Sequence, residues 1–231
     1  PPSLSPPHPP LFFFNDTASY EIYTRSLVGS VRFFLYRDLE IQILFFIHVP
    51  IAAMAFLGFF LVFVFSIIYL VKRSDHWDRL AYASGEVGVV FVSVTLLTGV
   101  VWARPVWGVW WTWEPRLTTT LILWLIYVAY LMVRSYAPNR SQGSLYAAAI
   151  GIIGFIDVPI VYYSVQWWRS IHPSAVVGPF AESGALEPIM TKILLVSLVA
   201  FAALFLLLLN QRVSVKKQED LLQKTLELSN K

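Results

Sequence analysis

Residues Ile51–Val71 read IAAMAFLGFFLVFVFSIIYLV, an unbroken run without one charged side chain. A helix rises about 1.5 Å per residue, so the run is about 30 Å long, the thickness of a bilayer's hydrocarbon. A strand reading fails, because the apolar residues run continuously instead of alternating. Backbone that crosses lipid must also satisfy its own hydrogen bonds, which a helix does. Four further runs have the same character: Ala83–Val101, Leu117–Val133, Leu145–Tyr163 and Lys192–Leu209. Ionisable groups inside them are few, mainly Glu86 and Asp157. Of the 231 residues 57% are hydrophobic and 13% charged, against about 25% charged in soluble domains. The sequence therefore predicts an all-α, polytopic transmembrane bundle with five spans.

The spans divide the chain into three parts. Residues 1–40 read as an N-terminal segment, extracytoplasmic or truncated. Its opening PPSLSPPHPP cannot be helical, and residues 20–40 mix charges with aromatics as an interfacial segment does. It has neither the basic start nor the apolar core of a secretory signal. Residues 41–209 form the transmembrane domain. Its first span is expected to begin near LFFIHVP, where Pro50 suits a first helical turn, and Pro159 is expected to kink the fourth. Residues 210–231 read as an amphipathic tail. The net charge of +3 is a topology signal and not a mark of nucleic-acid binding. Lys72, Arg73, Arg79, Arg134, Arg140, Arg212, Lys216, Lys217, Lys224 and Lys231 all fall on one side of a five-span topology. The positive-inside rule makes that side, with the C-terminus, cytoplasmic. There is no cysteine, which removes disulfides, thiolate metal sites and covalent haem attachment. No phosphate-binding glycine loop occurs, so nucleotide-driven work belongs to a partner.

Three unusual features fall together on the opposite, outer side. The first is WGVWWTWEPRL, Trp107–Leu117, with four tryptophans in its first seven residues. The others are His48, in FIHVP, and His172, in SIHPS. Single tryptophans favour membrane interfaces, but interfacial belts occur on both faces. Here Trp102, Trp107, Trp110, Trp111, Trp113, Trp167 and Trp168 are outside, Trp77 is inside and Trp124 is mid-span. A platform for a large planar ligand explains that asymmetry better. Two imidazoles from separate outer segments could sandwich a porphyrin iron, while indoles pack its rim. Zinc is the rival, yet two histidines without cysteine or a nearby carboxylate pair make a poor zinc site. Glu114 reads as a helix cap beside the indoles. Arg116 offers a fork that suits a carboxylate, such as a haem propionate. Glu86 and Asp157 admit either function or helix–helix hydrogen bonding.

At these residues the chain resembles a known family. WGVWWTWEPRLTTTLILWLIYV resembles the tryptophan-rich signature of CcmC, the haem-handling membrane protein of cytochrome c maturation. FFIHVP and YYSVQWWRSIHPS resemble its two outer histidine motifs, and GEVGVVFVSVTLLTGVVWARPVWG resembles its span leading into the signature. The likeness runs from about residue 41 to residue 175, with the motifs in order. It implies a non-enzymatic carrier in the cytoplasmic (inner) membrane, with haem b held non-covalently and transiently at the periplasmic face. His48 and His172 would be its axial ligands, with Trp107, Trp110, Trp111, Trp113, Glu114 and Arg116 around it. The implied partners are the haem chaperone CcmE, the ABC-type subunits CcmA and CcmB, and the small membrane protein CcmD. Two features depart from the pattern. The family usually has aspartate where Glu114 stands, and usually six spans, the first of which is not visible in residues 1–40. A missing leading helix would reconcile the two counts. The related CcsA type typically reads closer to W-D-P-K-E, so the R-L-T here favours CcmC.

Two other classes remain to be separated from a carrier. A bis-histidine cytochrome b-type electron carrier or quinol oxidoreductase subunit would generally bury its histidines within the bundle. A small-solute transporter would centre on a broken helix near the midplane, here Asp157-Val158-Pro159.

Overall fold

The structure is a computed structural model that describes residues 17–173 and 186–229. Six helices follow in order: α1 (Thr17–Lys72), α2 (Asp75–Trp107), α3 (Pro115–Tyr136), α4 (Arg140–Gly154), α5 (Asp157–Trp167) and α6 (Pro188–Ser229). The described residues contain no strand. Five stretches are long and apolar enough to cross a membrane, with α4 and α5 together making the fourth. The proline-rich start and residues 174–185 of the second tryptophan-side loop lie outside the described residues. The chain divides into two compact units, Pro1–Gln42 and Ile43–Lys231. Residues 17–42 of the first are helical. The buried core and the helix bundle around it belong to the second.

Local chemistry sets the helix ends. Ser74 caps α2, with Asp75 and Asp78 in its first turn, where acids favour the positive end of the helix dipole. Gly108 ends α2 with φ at 77°, a left-handed conformation that glycine adopts without strain, and its N–H reaches the Arg104 carbonyl at 3.1 Å. Glu114 caps α3 ahead of Pro115 at its start, accepting from the Leu117 N–H at 2.8 Å. Asn139 caps α4 by accepting from the Gln142 N–H at 2.9 Å.

The first membrane-crossing stretch begins at Ile41, close to LFFIHVP, but Pro50 is not in a first helical turn. It lies inside α1, fully buried, and the helix runs through it from Thr17. A proline lacks the N–H that would pair with the carbonyl four residues back. That carbonyl belongs to Phe46, and it accepts instead from the Ser197 hydroxyl of α6 at 2.5 Å. A neighbouring helix supplies the missing donor, the way lipid-embedded helices tolerate proline. The fourth span breaks as expected, but ahead of its proline. α4 ends at Gly154, and α5 restarts at Asp157, leaving Pro159 in the first turn where no N–H is needed.

The core gathers around α1. Phe59 stacks on Tyr127 of α3 with ring centroids 3.7 Å apart, and Val62, Val92, Leu123, Tyr130 and Phe205 complete a fully buried layer. In lipid, apolar surface gains little by leaving the solvent, so close approach of small residues carries the association. A Cβ on Gly58 would lie 2.9 Å from the Gly88 Cα of α2. Gly58→Ala is therefore expected to separate the two helices and destabilise the bundle by about 1–3 kcal/mol. Thermal unfolding in detergent reads this directly, and an unchanged midpoint would contradict the packing.

One end of the bundle is tied by charge. Asp78 accepts from Arg134 at 2.6 Å and from Ser144 at 2.9 Å, joining α2, α3 and α4. Asp220 of α6 meets Arg79, Arg140 and Lys216 at 3.6, 2.5 and 3.5 Å. Arg212 donates to Glu86, so helix-to-helix bonding accounts for that span carboxylate. These contacts hold the continuation of α6 past Leu209 against the bundle. The tryptophan segment and the functional candidates lie at the other end.

Candidate functional site

Helix α2 ends at Trp107 and α3 begins at Pro115, and residues 108–114 between them are not helical. This loop carries the indoles. α1 brings His48 to the same end, two residues before Pro50, and the segment after α5 brings His172. The four elements enclose a cavity of about 300 Å³ lined by His48, His172, Trp102, Trp107, Trp111 and Arg116. Its inner wall is apolar apart from the hydroxyls of Thr95 and Thr120, with Phe56 and Val161 beside them. Small-molecule sites run from roughly 300 to 1,000 Å³, so this cavity lies at the lower end of that range.

The sequence candidates separate into two groups. His48, His172, Trp107, Trp111 and Arg116 line the cavity together. Trp110, Trp113 and Glu114 do not. Trp110 is 57% and Trp113 76% exposed. Trp113 packs edge-on against Trp111 at 5.7 Å, and the Arg104 guanidinium lies 5.8 Å from the Trp110 ring. These two rings extend apolar surface beyond the cavity mouth. Trp102 and Trp107 meet edge to face at 5.4 Å, and Trp107 meets His172 at 6.3 Å.

Glu114 acts on the loop rather than the cavity. One carboxylate oxygen caps α3, and the other accepts from the Ser170 hydroxyl, whose oxygen accepts the His172 N–H at 3.1 Å. The acid thereby fixes the backbone that carries His172. Arg116 fixes the same region from the other side. Its Nε donates to the Val161 carbonyl at 3.4 Å, its Nη2 to the Tyr162 carbonyl at 3.1 Å, and its Nη1 lies 3.2 Å from His172 Nδ1. Burial first, and the Arg116 guanidinium second, hold the His172 imidazole below its ordinary pKa, against the raising effects of the Pro173 carbonyl and Glu114. The ring is held neutral, the form that binds metals.

Two observations bear on what the cavity could take. The Trp111 Nε1–H is buried with no partner among the described residues, and an orphaned buried donor in a cavity wall is a position a ligand acceptor can fill. Among the described residues no group of three or more His, Asp or Glu could hold a bare ion. Two imidazoles suit an iron that brings its own equatorial ligands. Sequence reasoning counted Trp102 only among the outer indoles and did not pick out Ser170, Tyr162 or Thr98, whose hydroxyl lies 2.8 Å from His48 Nδ1. Asp157 stands in the first turn of α5, away from this cavity, with one buried carboxylate oxygen unpartnered among the described residues.

The family model for CcmC, heme exporter protein C, matches residues 35–226. Heme exporter protein C of Bradyrhizobium diazoefficiens is 36% identical over 163 residues, covering 71% of this chain and 62% of the relative. That of Paracoccus denitrificans is 30% identical over 176 residues, covering 75% of this chain and 73% of the relative. That of Escherichia coli K12 is 30% identical over 159 residues, covering 69% and 63%. The chain thus spans less than two thirds of the length of the first and third of these relatives.

Proposed function

The chain belongs to the heme exporter protein C family, and from that premise we propose that it is a non-enzymatic membrane carrier that holds haem and passes it on for c-type cytochrome assembly. The observation that carries this reading is the cavity onto which His48, His172, Trp107, Trp111 and Arg116 converge. Haem b is the cargo, a planar iron porphyrin with two open axial positions and two carboxylates. His48 and His172 ligate it from separate elements. Trp107 and Trp111 pack the macrocycle, and the exposed Trp110 and Trp113 cover what projects from the cavity. Arg116 has one guanidinium arm for a propionate. Coordinate bonds and indole contacts are reversible, as a carrier requires.

The site faces the periplasm in this reading, with the basic end of the bundle in the cytoplasm and the protein in the inner membrane. The recipient is the haem chaperone CcmE, and CcmA, CcmB and CcmD are the membrane partners. The test is transfer. The full chain, purified in detergent and loaded with haem, is mixed with the soluble domain of the chaperone, and haem is followed by its visible absorption after separation. Haem moving to the chaperone without quinol consumption is expected. Quinol-dependent turnover with no transfer would replace the carrier with an electron-transfer protein. Trp107→Ala combined with Trp111→Ala is expected to weaken haem binding by tenfold or more, since each half-buried indole would contribute on the order of 1–3 kcal/mol of apolar contact with the macrocycle. Equilibrium titration with haem measures that loss.

A further inference from the structure

His172 lies on the non-helical segment that follows α5. The last backbone N–H tying that segment to the helix is that of Trp168, which reaches the Ser164 carbonyl at 3.1 Å. Beyond it, among the described residues, no backbone-to-backbone hydrogen bond joins residues 169–173 to another element. A side chain on such a segment is only as well placed as the contacts that hold the segment down. The Arg116 guanidinium and the Trp107 ring meet the His172 imidazole itself, at 3.2 and 6.3 Å. The backbone beneath it depends on Ser170.

The Ser170 oxygen accepts the His172 N–H at 3.1 Å, closing a local turn. Its single proton goes to one carboxylate oxygen of Glu114, whose other oxygen accepts the Leu117 N–H at 2.8 Å. Glu114 is 8% exposed, so these bonds to a charged acceptor are largely shielded from water. It is also the last residue of the indole loop, so one side chain joins that loop, the start of α3 and the histidine segment. Capping alone does not call for glutamate. Aspartate is among the residues preferred at a helix N-cap, and it is one carbon–carbon bond, about 1.5 Å, shorter. The longer acid holds Leu117 with one oxygen and reaches Ser170, 56 residues away in sequence, with the other.

We infer that Ser170 is a positioning residue for His172, and that Glu114 and Ser170 form a matched pair that docks the histidine segment on the start of α3. This rests on the proposed haem function and deepens it, by naming what brings the second imidazole into line with the first. Neither Ser170 nor Glu114 lines the cavity, so both act through the backbone of His172. With the acid shortened, the segment keeps its local turn but loses its anchor. The imidazole then meets the iron in a smaller share of molecules.

The test uses Ser170→Ala, Glu114→Asp, the two combined, and Ser170→Thr, which keeps the hydroxyl. All of them leave an acid capping α3. The first readout needs no haem: amide hydrogen exchange of residues 169–173 in the purified full chain. Exchange should quicken about tenfold in Ser170→Ala and in Glu114→Asp, the scale of one hydrogen bond to a charged group, and stay unchanged in Ser170→Thr. The second is the visible spectrum with ferric haem at saturation. The ratio of six- to five-coordinate forms should fall about tenfold in each single variant, fall no further in the combined one, and hold in Ser170→Thr. Unaltered exchange and an unaltered ratio in Ser170→Ala would overturn the inference. So would losses that add in full in the combined variant, since a shared contact is lost only once. A lower unfolding temperature with the ratio intact would also overturn it, because the contact would then serve stability alone. If neither His48→Ala nor His172→Ala alters the haem spectrum, the haem reading itself fails. If they alter it and Ser170→Ala does not, only the positioning fails.

Discussion

Alanine at both His48 and His172 is expected to abolish the six-coordinate haem spectrum and weaken binding on the order of 100-fold or more. The scale follows from the supporting hydrogen bonds of metal-binding histidines, whose loss alone costs roughly 10–100-fold; removing the ligands costs at least as much. Each single variant should keep one axial imidazole and lose only part of the affinity. His172→Ala leaves His48, whose Nδ1 lies 2.8 Å from the Thr98 hydroxyl, as the remaining imidazole, so a five-coordinate complex of reduced affinity remains. His48→Ala likewise leaves His172, whose backbone N–H is held by the Ser170 hydroxyl at 3.1 Å, as the remaining ligand. Visible titrations of the three variants check the order. Three unchanged titrations would contradict the ligand assignment.

Asp78→Leu is expected to be the most destabilising single change at the opposite end of the bundle, by about 3–5 kcal/mol. Its side chain is 4% exposed and Arg134's is 12%. Losing the acid strands a guanidinium among Tyr82 and Tyr130, whose rings lie 5.1 and 5.4 Å from it. Burial of an uncompensated charge is the source of the cost, not loss of attraction alone. The double change Asp78→Leu with Arg134→Met should therefore recover most of the stability, because it removes the stranded charge as well. The pair Lys224–Asp75 offers the contrast, at 3.2 Å with side chains 61% and 54% exposed. Lys224→Ala there should change stability by less than about 1 kcal/mol. Thermal unfolding of these variants in detergent decides the ranking, and a single Asp78→Leu as stable as Lys224→Ala would contradict it.

What the chain states openly is its spans. Ile51–Val71 contains nothing that could end a helix in lipid, and the other four runs differ from it only in detail. Proline was harder to place, because its effect depends on neighbours that are distant in sequence. Pro50 resembles a helix start until Ser197, far along the chain, provides a donor for the Phe46 carbonyl. Pro159 signalled a break in the fourth span, but the restart at Asp157 lies ahead of it, since proline is harmless in a first turn.

The site shows the same division. His48, His172, Trp107, Trp111 and Arg116 stood out because their residue types are costly or reactive where they occur, and the fold brings them to one cavity. Trp110 and Trp113 stood out equally, yet they turn outward. Their segment is not helical, so no periodicity in the sequence could sort inward rings from outward ones. Glu114 keeps its role as a cap and gains one through Ser170. Thr98 and Ser170 were illegible, because a lone hydroxyl in an apolar span or a loop reads as ordinary backbone bonding until its partner is known.

The most direct measurement is pulsed electron paramagnetic resonance on the full chain loaded with ferric haem, its histidines labelled with nitrogen-15. Two imidazoles sharing one iron predict a low-spin signal coupled to two labelled nitrogens, one of them lost in His48→Ala and the other in His172→Ala. A signal coupled to a single histidine nitrogen, or one that both substitutions leave unchanged, would contradict it.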